Sequence, residues 1–193
     1  MSISTLLVGN SGVGKTVLLK RFIEGVYEDG TICLSTIGLE LRLKNKVEND
    51  QYNLKLIILD TAGQERYRNN IPLYTKGVDV IIICADITNK SSFANIPRWI
   101  ELVNKNSDVD IPRIFVGTKC DIHEKRVVIK EEMESLYSPY FEVSAKDNIR
   151  VDEMFHFAAR MALKNIRTEN FRNSIKLETL KKVDNKSSQS SCC

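Results

Sequence analysis

The stretch Gly9-Asn10-Ser11-Gly12-Val13-Gly14-Lys15-Thr16 decides the fold, because it joins an apolar run over 3–8 to a helix-like run over 17–23. This order predicts a strand, a glycine-rich turn and a helix. The spacing G-x-x-x-x-G-K-T lets successive backbone N–H groups surround a phosphate, and the helix N-terminus adds a positive dipole. Lys15 is predicted to hold the outer phosphates, and Thr16 to place its hydroxyl on Mg²⁺. An ordinary strand-to-helix turn is the alternative, and the flanking pattern favours a nucleoside polyphosphate site.

Length and composition bound the class of protein. The chain has 193 residues, of which 42% are apolar and 27% charged, as expected for one soluble domain with a tail. Its longest strongly apolar run, 80–85, is far shorter than the ~18 residues that span a bilayer, and a signal peptide is not evident at the start. A cytosolic protein is expected. Cys33, Cys84 and Cys120 lack metal-ligand spacing and are expected to be reduced packing residues.

The net charge of +3 comes from the C-terminal segment, where five basic residues oppose two acidic ones from Phe171 onward. A nearly neutral body argues against a nucleic-acid-binding surface, whereas a basic tail suits the anionic face of a membrane. The hydrophobic pattern fades from about Thr168. We therefore predict a folded domain over 1–167 and a flexible, basic and polar tail over 168–193.

Strand-like and helix-like segments alternate along the chain. Strands are predicted over 3–8, 39–43, 52–59, 78–85, 114–116 and 140–143, and helices over 17–23, 91–106 and 130–137. A last helix carries one apolar stripe, which predicts core packing; its members are Val151, Met154, Phe155, Ala158, Met161 and Ala162. The predicted fold is α/β: about six strands, mostly parallel with one antiparallel strand, and helices on both faces.

Polar motifs follow three of the predicted strands: Asp60, the run 118–121 and the run 144–146. Ligands of such sheets bind beyond the carboxyl ends of the strands, so these motifs are expected to converge beside the glycine-rich turn. A carboxylate at the end of an apolar strand is costly unless it is paired or metal-bound. Asp60 therefore fits a magnesium ligand acting through water, with a helix N-cap as the alternative.

Asp121 carries the chemistry of base choice. A carboxylate can accept hydrogen bonds from N1–H and the 2-amino group of guanine, and adenine offers neither donor. Each charge-assisted bond contributes roughly 1.5–3 kcal/mol, so one carboxylate can select guanine by orders of magnitude. A capping aspartate is the alternative for such a loop taken alone.

Together these stretches resemble the small Ras-like GTPases, and within them the Rab branch. The run 9–16 looks like the P-loop, 35–38 like switch I, 60–66 like the DTAGQER of switch II, and 144–146 like the SAK motif, in an order that covers 3 to about 165. The resemblance implies GTP and GDP as ligands. It assigns nucleotide binding to Ser11, Gly12, Val13, Gly14, Lys15, Thr16, Tyr27, Thr36, Gly63, Thr118, Lys119, Asp121, Ser144, Ala145 and Lys146.

The resemblance also implies a catalytic and switching apparatus. Thr16, Thr36 and Asp60 would bind Mg²⁺, and backbone contacts of Thr36 and Gly63 with the γ-phosphate would exist only with GTP, so hydrolysis would release both loops. Gln64 would orient the attacking water while Lys15 neutralises charge on the phosphoryl group. The chain offers no obvious transition-state arginine, which predicts slow intrinsic hydrolysis that an activating protein accelerates.

The sequence departs from the family at several positions. Thr118 stands where most relatives have Asn, which costs about tenfold in affinity at most and leaves guanine selectivity intact. Tyr27 lies nine residues before Thr36, two more than usual, so switch I is expected to be longer. The positions of the Rab aromatic triad look like Leu41, Leu59 and Tyr74, so effectors of relatives do not transfer directly.

The C-terminal Cys192-Cys193 matches Rab tails, and the resemblance implies that both carry geranylgeranyl groups, although the C-a-a-X signal is absent. Two lipid chains allow stable anchoring, aided by the tail lysines. The expected location is the cytoplasm and the cytoplasmic face of an intracellular membrane. Expected partners are effectors at switches I and II, an exchange factor, an activating protein and the prenylation and membrane-extraction machinery. The protein is expected to be a monomer and not to bind nucleic acid.

Two other functions remain open at the level of sequence. A P-loop kinase would share the glycine-rich turn, but it does not explain Asp121, the run 144–146 or the double cysteine. A guanine-nucleotide-binding module that barely cycles is compatible with Thr118 and the longer switch I. His123 and His156 are expected at solvated positions without a metal or acid–base role.

Overall fold

The computed structural model describes residues 1–27, 39–49, 52–61, 70–105 and 111–168, with the backbone alone for 39–49 and for 52–53. Its strands are β1 Ser2–Gly9, β2 Leu39–Asn49, β3 Tyr52–Thr61, β4 Val80–Asp86, β5 Arg113–Thr118 and β6 Tyr140–Val143. Its helices are α1 Lys15–Glu24, α2 Ile71–Tyr74, α3 Lys90–Ala94, α4 Ile96–Asn104, α5 Lys130–Leu136 and α6 over 151–168, with a 3₁₀ turn at His123–Lys125. None of the helices in these ranges has the length and apolarity needed to cross a bilayer.

The strands form one sheet in the order β2-β3-β1-β4-β5-β6. β2 runs antiparallel to β3, and β3, β1, β4, β5 and β6 run parallel to their neighbours. The predicted α/β class with a parallel central sheet is confirmed. The register pairs Leu7 with Asp60, Gly9 with Cys84, and Thr118 with both Asp86 and Val143. These pairings bring the carboxyl ends of five strands to one edge of the sheet, where such folds bind ligands.

Every residue of β4 is buried, because helices cover both faces of the sheet. On one face Ile82 and Cys84 pack in a cluster with residues of α1 and α6, where the rings of Phe22 and Phe155 stack 4.1 Å apart. On the other face Ile81 and Ile83 pack with residues of α3, α4 and α5. Each such side chain contributes about 1.5–3 kcal/mol on burial. The two layers fix the strand ends that carry the polar motifs.

The single helix predicted over 91–106 is wrong, because the chain forms α3 and α4 with a break at Asn95. Pro97 has no N–H, and inside a continuous helix its ring would clash with the carbonyl four residues earlier. As the second residue of α4, Pro97 is tolerated, since no intrahelical bond is lost there. The side chain of Asn89 accepts hydrogen bonds from the backbone N–H groups of Ser91 and Ser92 and thereby starts α3.

The last helix, α6, has the predicted stripe: five of its six members are buried and Met161 is partly exposed. His123 is exposed, as predicted. His156 was expected at a solvated position, but it is half-buried, with the centroid of its ring 6.3 Å from that of Phe22. The helix places histidine beside the stripe, close enough to cover the rim of the aromatic cluster.

Candidate nucleotide-binding site

The glycine-rich turn between β1 and α1 needs its glycines for two reasons. Gly9, Gly12 and Gly14 have φ of 146°, 76° and 97°, which side chains disfavour. At Gly9 an added Cβ would also overlap the carbonyl oxygen of Cys84. Gly14 is the N-cap of α1 and supplies no side-chain cap. The first N–H groups of α1 are therefore oriented for an anionic ligand.

Lys15, Thr16 and Asp60 lie together at the start of α1. Lys15 is buried, and its Nζ donates to the carbonyl oxygens of Gly9 and Asn10 at 2.8 and 2.9 Å. The Thr16 hydroxyl donates to Asp60 Oδ2 at 2.6 Å. Asp60 is wholly buried at the end of β3. The Lys15 ammonium, the Thr16 hydroxyl and the Asp60 carboxylate thus lie together beside the glycine-rich turn.

Thr118 and Lys119 connect the end of β5 to the same turn. The Thr118 hydroxyl lies 2.6 Å from the carbonyl oxygen of Val13 and 3.0 Å from that of Ala85, with one proton to donate. Lys119 Nζ donates to the carbonyl oxygen of Gly12 at 2.9 Å. These contacts fix the middle of the glycine-rich turn from the side of the run 118–121.

Asp121 and Ser144 bring the last two polar motifs into contact. The Ser144 hydroxyl donates to Asp121 Oδ1 at 2.6 Å and accepts the backbone N–H of Asp147 at 3.0 Å. The backbone N–H of Cys120 donates to the carbonyl of Val143 at 3.2 Å, which joins the two loops directly. Ser144 therefore orients the carboxylate, and Ala145 and Lys146 follow at the rim.

Three contacts of the site were not predicted. Asp86 closes β4, is buried, and forms an ion pair with Lys119 at 2.7 Å. Arg21 of α1 donates to the carbonyl oxygens of Ala145 and Lys146. The indole N–H of Trp99 donates to Asn10 Oδ1 at 3.0 Å. Asp86 carries the same signal as Asp60, a carboxylate that ends an apolar strand, whereas the other two have no local signature.

Several predicted residues have a partial or no structural account. Tyr27 is half-buried near the end of α1, and Leu59 and Tyr74 are partly buried. The side chain of Leu41 lies outside the described residues, as do Cys33, Thr36, Gly63, Gln64, Cys192 and Cys193. The predictions for these residues stay predictions.

Burial controls the ionisation of the cysteines and of a carboxylate near the site. Desolvation raises the pKa of Cys84 to about 12 and also raises the pKa of Cys120, so both thiols are protonated at neutral pH. Both are free cysteines, as predicted. Burial works to raise the pKa of Glu142 in β6, but two hydrogen bonds of 2.7 Å from Arg126 hold it below its usual value. Glu142 is therefore ionised at neutral pH and fixes Arg126 to β6, the strand that leads to Ser144.

The fold and site are those of a P-loop nucleotide-binding protein. The sheet is mainly parallel, a glycine-rich turn follows its first strand, and a Lys–Thr–Asp group lies at that turn with a Ser–Asp pair at the same edge of the sheet. A sequence model of the Ras family matches residues 4–164. The chain is 41% identical to Ras-related protein Rab-8 of Diplobatis ommata over 190 residues, which cover 95% of this chain and 89% of that one. It is 43% identical to Ras-related protein Rab-8B of Homo sapiens over 159 residues, which cover 80% of this chain and 75% of that one. It is 40% identical to Ras-related protein Rab-13 of Mesocricetus auratus over 159 residues, which cover 80% of this chain and 77% of that one.

The chain therefore belongs to the Ras family of small GTPases, in its Rab branch. Members of this family are GTP phosphohydrolases that bind GTP and GDP with Mg²⁺, and vesicle trafficking is the general role of Rab proteins. They work with effectors, exchange factors, activating proteins and membranes.

The residues present fit Mg²⁺. A threonine hydroxyl and a buried carboxylate, 2.6 Å apart, offer the hard oxygen atoms that this ion prefers. The described residues contain no cluster of three or more His, Cys, Asp or Glu side chains that could hold a metal ion. Mg²⁺ usually keeps waters and substrate phosphates among its ligands, so a threonine hydroxyl and one carboxylate suit it as protein ligands.

Proposed function

We propose that this chain is a GTP/GDP-cycling switch in which the turn 11–16 holds the phosphates and Asp121 with 144–146 holds guanine. The observation that carries the proposal is the contact between Thr16 and Asp60 beside Lys15. This arrangement places a cation and two hard oxygen ligands at the N-terminus of α1. Those groups are what a nucleoside triphosphate with its metal requires.

Hydrolysis needs little covalent chemistry from the protein. Lys15 neutralises charge that develops on the transferring phosphoryl group, and Gln64 orients the attacking water. Mg²⁺, held by Thr16, Thr36 and Asp60, supplies further charge neutralisation when bound. Intrinsic turnover is slow because the sequence predicts no arginine that contacts the transferring phosphoryl group. An activating protein that supplies one would accelerate hydrolysis by roughly 10³–10⁵-fold.

Base selection depends on Asp121. Its Oδ1 already accepts a hydrogen bond from Ser144, and each carboxylate oxygen has two lone pairs, so the group keeps acceptor capacity for guanine N1–H and the 2-amino group. The bond from Ser144 fixes the rotamer of the carboxylate. Pre-orientation of this kind favours guanine over adenine without a conformational cost on binding.

The switch and the membrane anchor lie in the parts of the chain outside the described residues. Thr36 and Gly63 contact the γ-phosphate in the GTP state, and their release on hydrolysis changes the surface offered to effectors. Geranylgeranyl groups on Cys192 and Cys193, with the basic tail 168–193, anchor the protein to the cytoplasmic face of an intracellular membrane. Cys192→Ser/Cys193→Ser protein should remain in the supernatant of cell lysates, and its pelleting with membranes would contradict the anchor.

The experiment that tests the cycle identifies the nucleotide released from purified full-length protein by HPLC and mass spectrometry, then measures GTP-to-GDP conversion with and without Mg²⁺. We expect GDP, with slow turnover that requires Mg²⁺. Gln64→Leu should slow turnover further, while Gln189→Leu makes the same chemical change in the low-complexity C-terminal segment, to which no catalytic role is assigned, and should match the wild type. An adenine nucleotide, or turnover of a second substrate, would favour a kinase; tightly held GTP without turnover would favour a binding module.

A further inference from the structure

Arg21 connects α1 to the loop that follows β6. Its Nε donates to the carbonyl oxygen of Ala145 at 2.6 Å, and its Nη2 donates to that of Lys146 at 2.7 Å. These bonds join residues 124 and 125 positions apart in the chain. Its Nη1 donates to the carbonyl oxygen of Gly25 at 2.8 Å, which caps the C-terminus of α1. One planar guanidinium therefore ties α1 to the loop that follows β6.

Hydrogen bonds inside that loop set its shape. Ser144 and Ile149 exchange two backbone bonds, of 3.1 and 2.9 Å, and Asp147 bonds to the Ser144 hydroxyl. Ser144, the first residue of the loop, is held by its hydrogen bond to Asp121. The next two carbonyl groups accept hydrogen bonds from Arg21, which bonds this loop to the helix that begins at the glycine-rich turn. The side chain of Ala145 also packs against the hydrophobic cluster that includes residues of α1.

The same guanidinium lies beside Tyr27. Its Cζ is 5.9 Å from the centroid of the tyrosine ring, within the range of cation–π attraction. Tyr27 is predicted to stack on guanine, and it is the last described residue before 28–38, which contains Thr36. Arg21 thus contacts both the aromatic residue and the backbone that would enclose the base.

We propose that Arg21 is a positioning residue that sets the residence time of the guanine nucleotide by holding Tyr27 and the 145–146 backbone against the base. The inference rests on the proposed guanine site and adds a residue to it. Loss of the guanidinium loosens two sides of the base pocket and leaves Lys15, Thr16 and Asp60 in place. Dissociation should therefore accelerate while hydrolysis within the bound complex is unchanged.

The test uses full-length protein preloaded with N-methylanthraniloyl-GDP and chased with excess GDP. Arg21→Ala should release the probe about tenfold faster, the equivalent of one charge-assisted hydrogen bond. Single-turnover hydrolysis by preloaded protein should stay within about twofold of the wild-type rate. Arg21→Lys keeps a cation near Tyr27, but its single nitrogen replaces the planar fork whose three nitrogens each reach a different carbonyl, so an intermediate acceleration of about threefold is expected.

Arg160→Ala is the matched control, because Arg160 also lies 5.9 Å from an aromatic centroid, that of Phe157, but on α6. It should release the probe at the wild-type rate. In the double variant Arg21→Ala/Tyr27→Ala, the acceleration of release should be smaller than the product of the two single accelerations, because both substitutions remove the same Arg21–Tyr27 contact. Each of three results would overturn the proposal: wild-type release by Arg21→Ala, equal acceleration by Arg160→Ala, or slowed hydrolysis in parallel with faster release. Failure of the wild type to retain guanine nucleotide would instead defeat the proposed function itself.

Discussion

The two ends of the proposed nucleotide site, one for the phosphates and one for the base, are built differently. The phosphate end is local: eight consecutive residues supply the turn, the lysine and the threonine, and backbone geometry at Gly9 and Gly14 shapes it. The base end is assembled from distant parts of the chain, since Thr118 and Lys119 reach the turn across 105 and 107 positions. The phosphate end should therefore be broken by single backbone changes, whereas the base end should weaken in smaller, separable steps.

The largest effect is expected from Gly9→Ala at the phosphate end. The new Cβ would overlap the backbone oxygen of Cys84, which cannot move without distorting β4. We expect a loss of about 3 kcal/mol or more in stability, and thus a melting temperature lower by about 10 °C. Thermal unfolding followed by circular dichroism in excess GDP measures it.

Gly12→Ala is the matched control for that substitution. Gly12 also has a positive φ, but an added Cβ would meet nothing within 4 Å. Its loss should be limited to the backbone cost of about 1–2 kcal/mol. Equal losses for the two variants would show that close approach to β4 does not shape the turn.

Glu142 sharpens the comparison at the base end, because it supports the strand that leads to Ser144. Its pKa is lowered in the folded state, so its stabilising contribution is present above the unfolded-state pKa of about 4.5 and is lost as the pH falls through the folded-state pKa. Glu142→Gln should lower stability by about 2 kcal/mol at pH 7, because the half-buried Arg126 loses its charged partner. Urea unfolding between pH 3.5 and pH 8 should show the two proteins converging at the acid end.

Glu153→Gln provides the control for that pH series. Glu153 pairs with Arg150 at 2.8 Å, and its pKa is also lowered, but the pair is exposed. Exposed pairs contribute little, so the variant should remain close to the wild type at every pH. A difference at pH 7 as large as that of Glu142→Gln would contradict the role assigned to burial.

Asp86 links the two ends, since it holds the Lys119 ammonium that bonds to the turn. Asp86→Asn should keep the shape and lose the ion pair, and GDP should dissociate about tenfold faster. Asp79 sits at the other end of β4 and accepts the backbone N–H of Ser4 at 2.7 Å. Asp79→Asn should therefore leave GDP dissociation unchanged. Stopped-flow release of labelled GDP measures both variants, and equal acceleration by Asp79→Asn and Asp86→Asn would contradict the role given to Asp86.

Thr118 gives the smallest expected effect. An asparagine amide has two N–H donors and could serve the carbonyls of Val13 and Ala85 together, whereas the hydroxyl has one proton. Thr118→Asn should slow GDP release by less than about tenfold, and Thr118→Val should accelerate it by a similar factor. Faster release from Thr118→Asn would mean that the carboxamide does not fit between these carbonyls.

The difference between the two ends also explains what the sequence could predict. The turn, the strand that precedes it and the stripe of α6 depend on short-range patterns, and each was predicted from spacing alone. The order of strands predicted that Asp60, Asp121 and Ser144 would lie at one edge of the sheet. Which side chains bridge that edge depends on packing across the chain, so the contacts of Arg21 and Trp99 had no sequence signal.

Two structural features that were not predicted had a signal in the sequence. Pro97 marked the break between α3 and α4 by a rule of helix geometry. Asp86 followed a strand as apolar as the one before Asp60 and could have been assigned to the site by the same reasoning. The roles of Thr36, Gly63 and Gln64 remain predictions.

The most direct test of the division between phosphate and base ends is competition of GDP, IDP and ADP for the wild-type protein loaded with labelled GDP. The three nucleotides share their phosphates and differ only in the base. IDP lacks the 2-amino group and should bind roughly 10–100-fold more weakly than GDP, while ADP should be weaker by more than about 10³-fold. Competition by ADP within tenfold of GDP would contradict selection of guanine by Asp121.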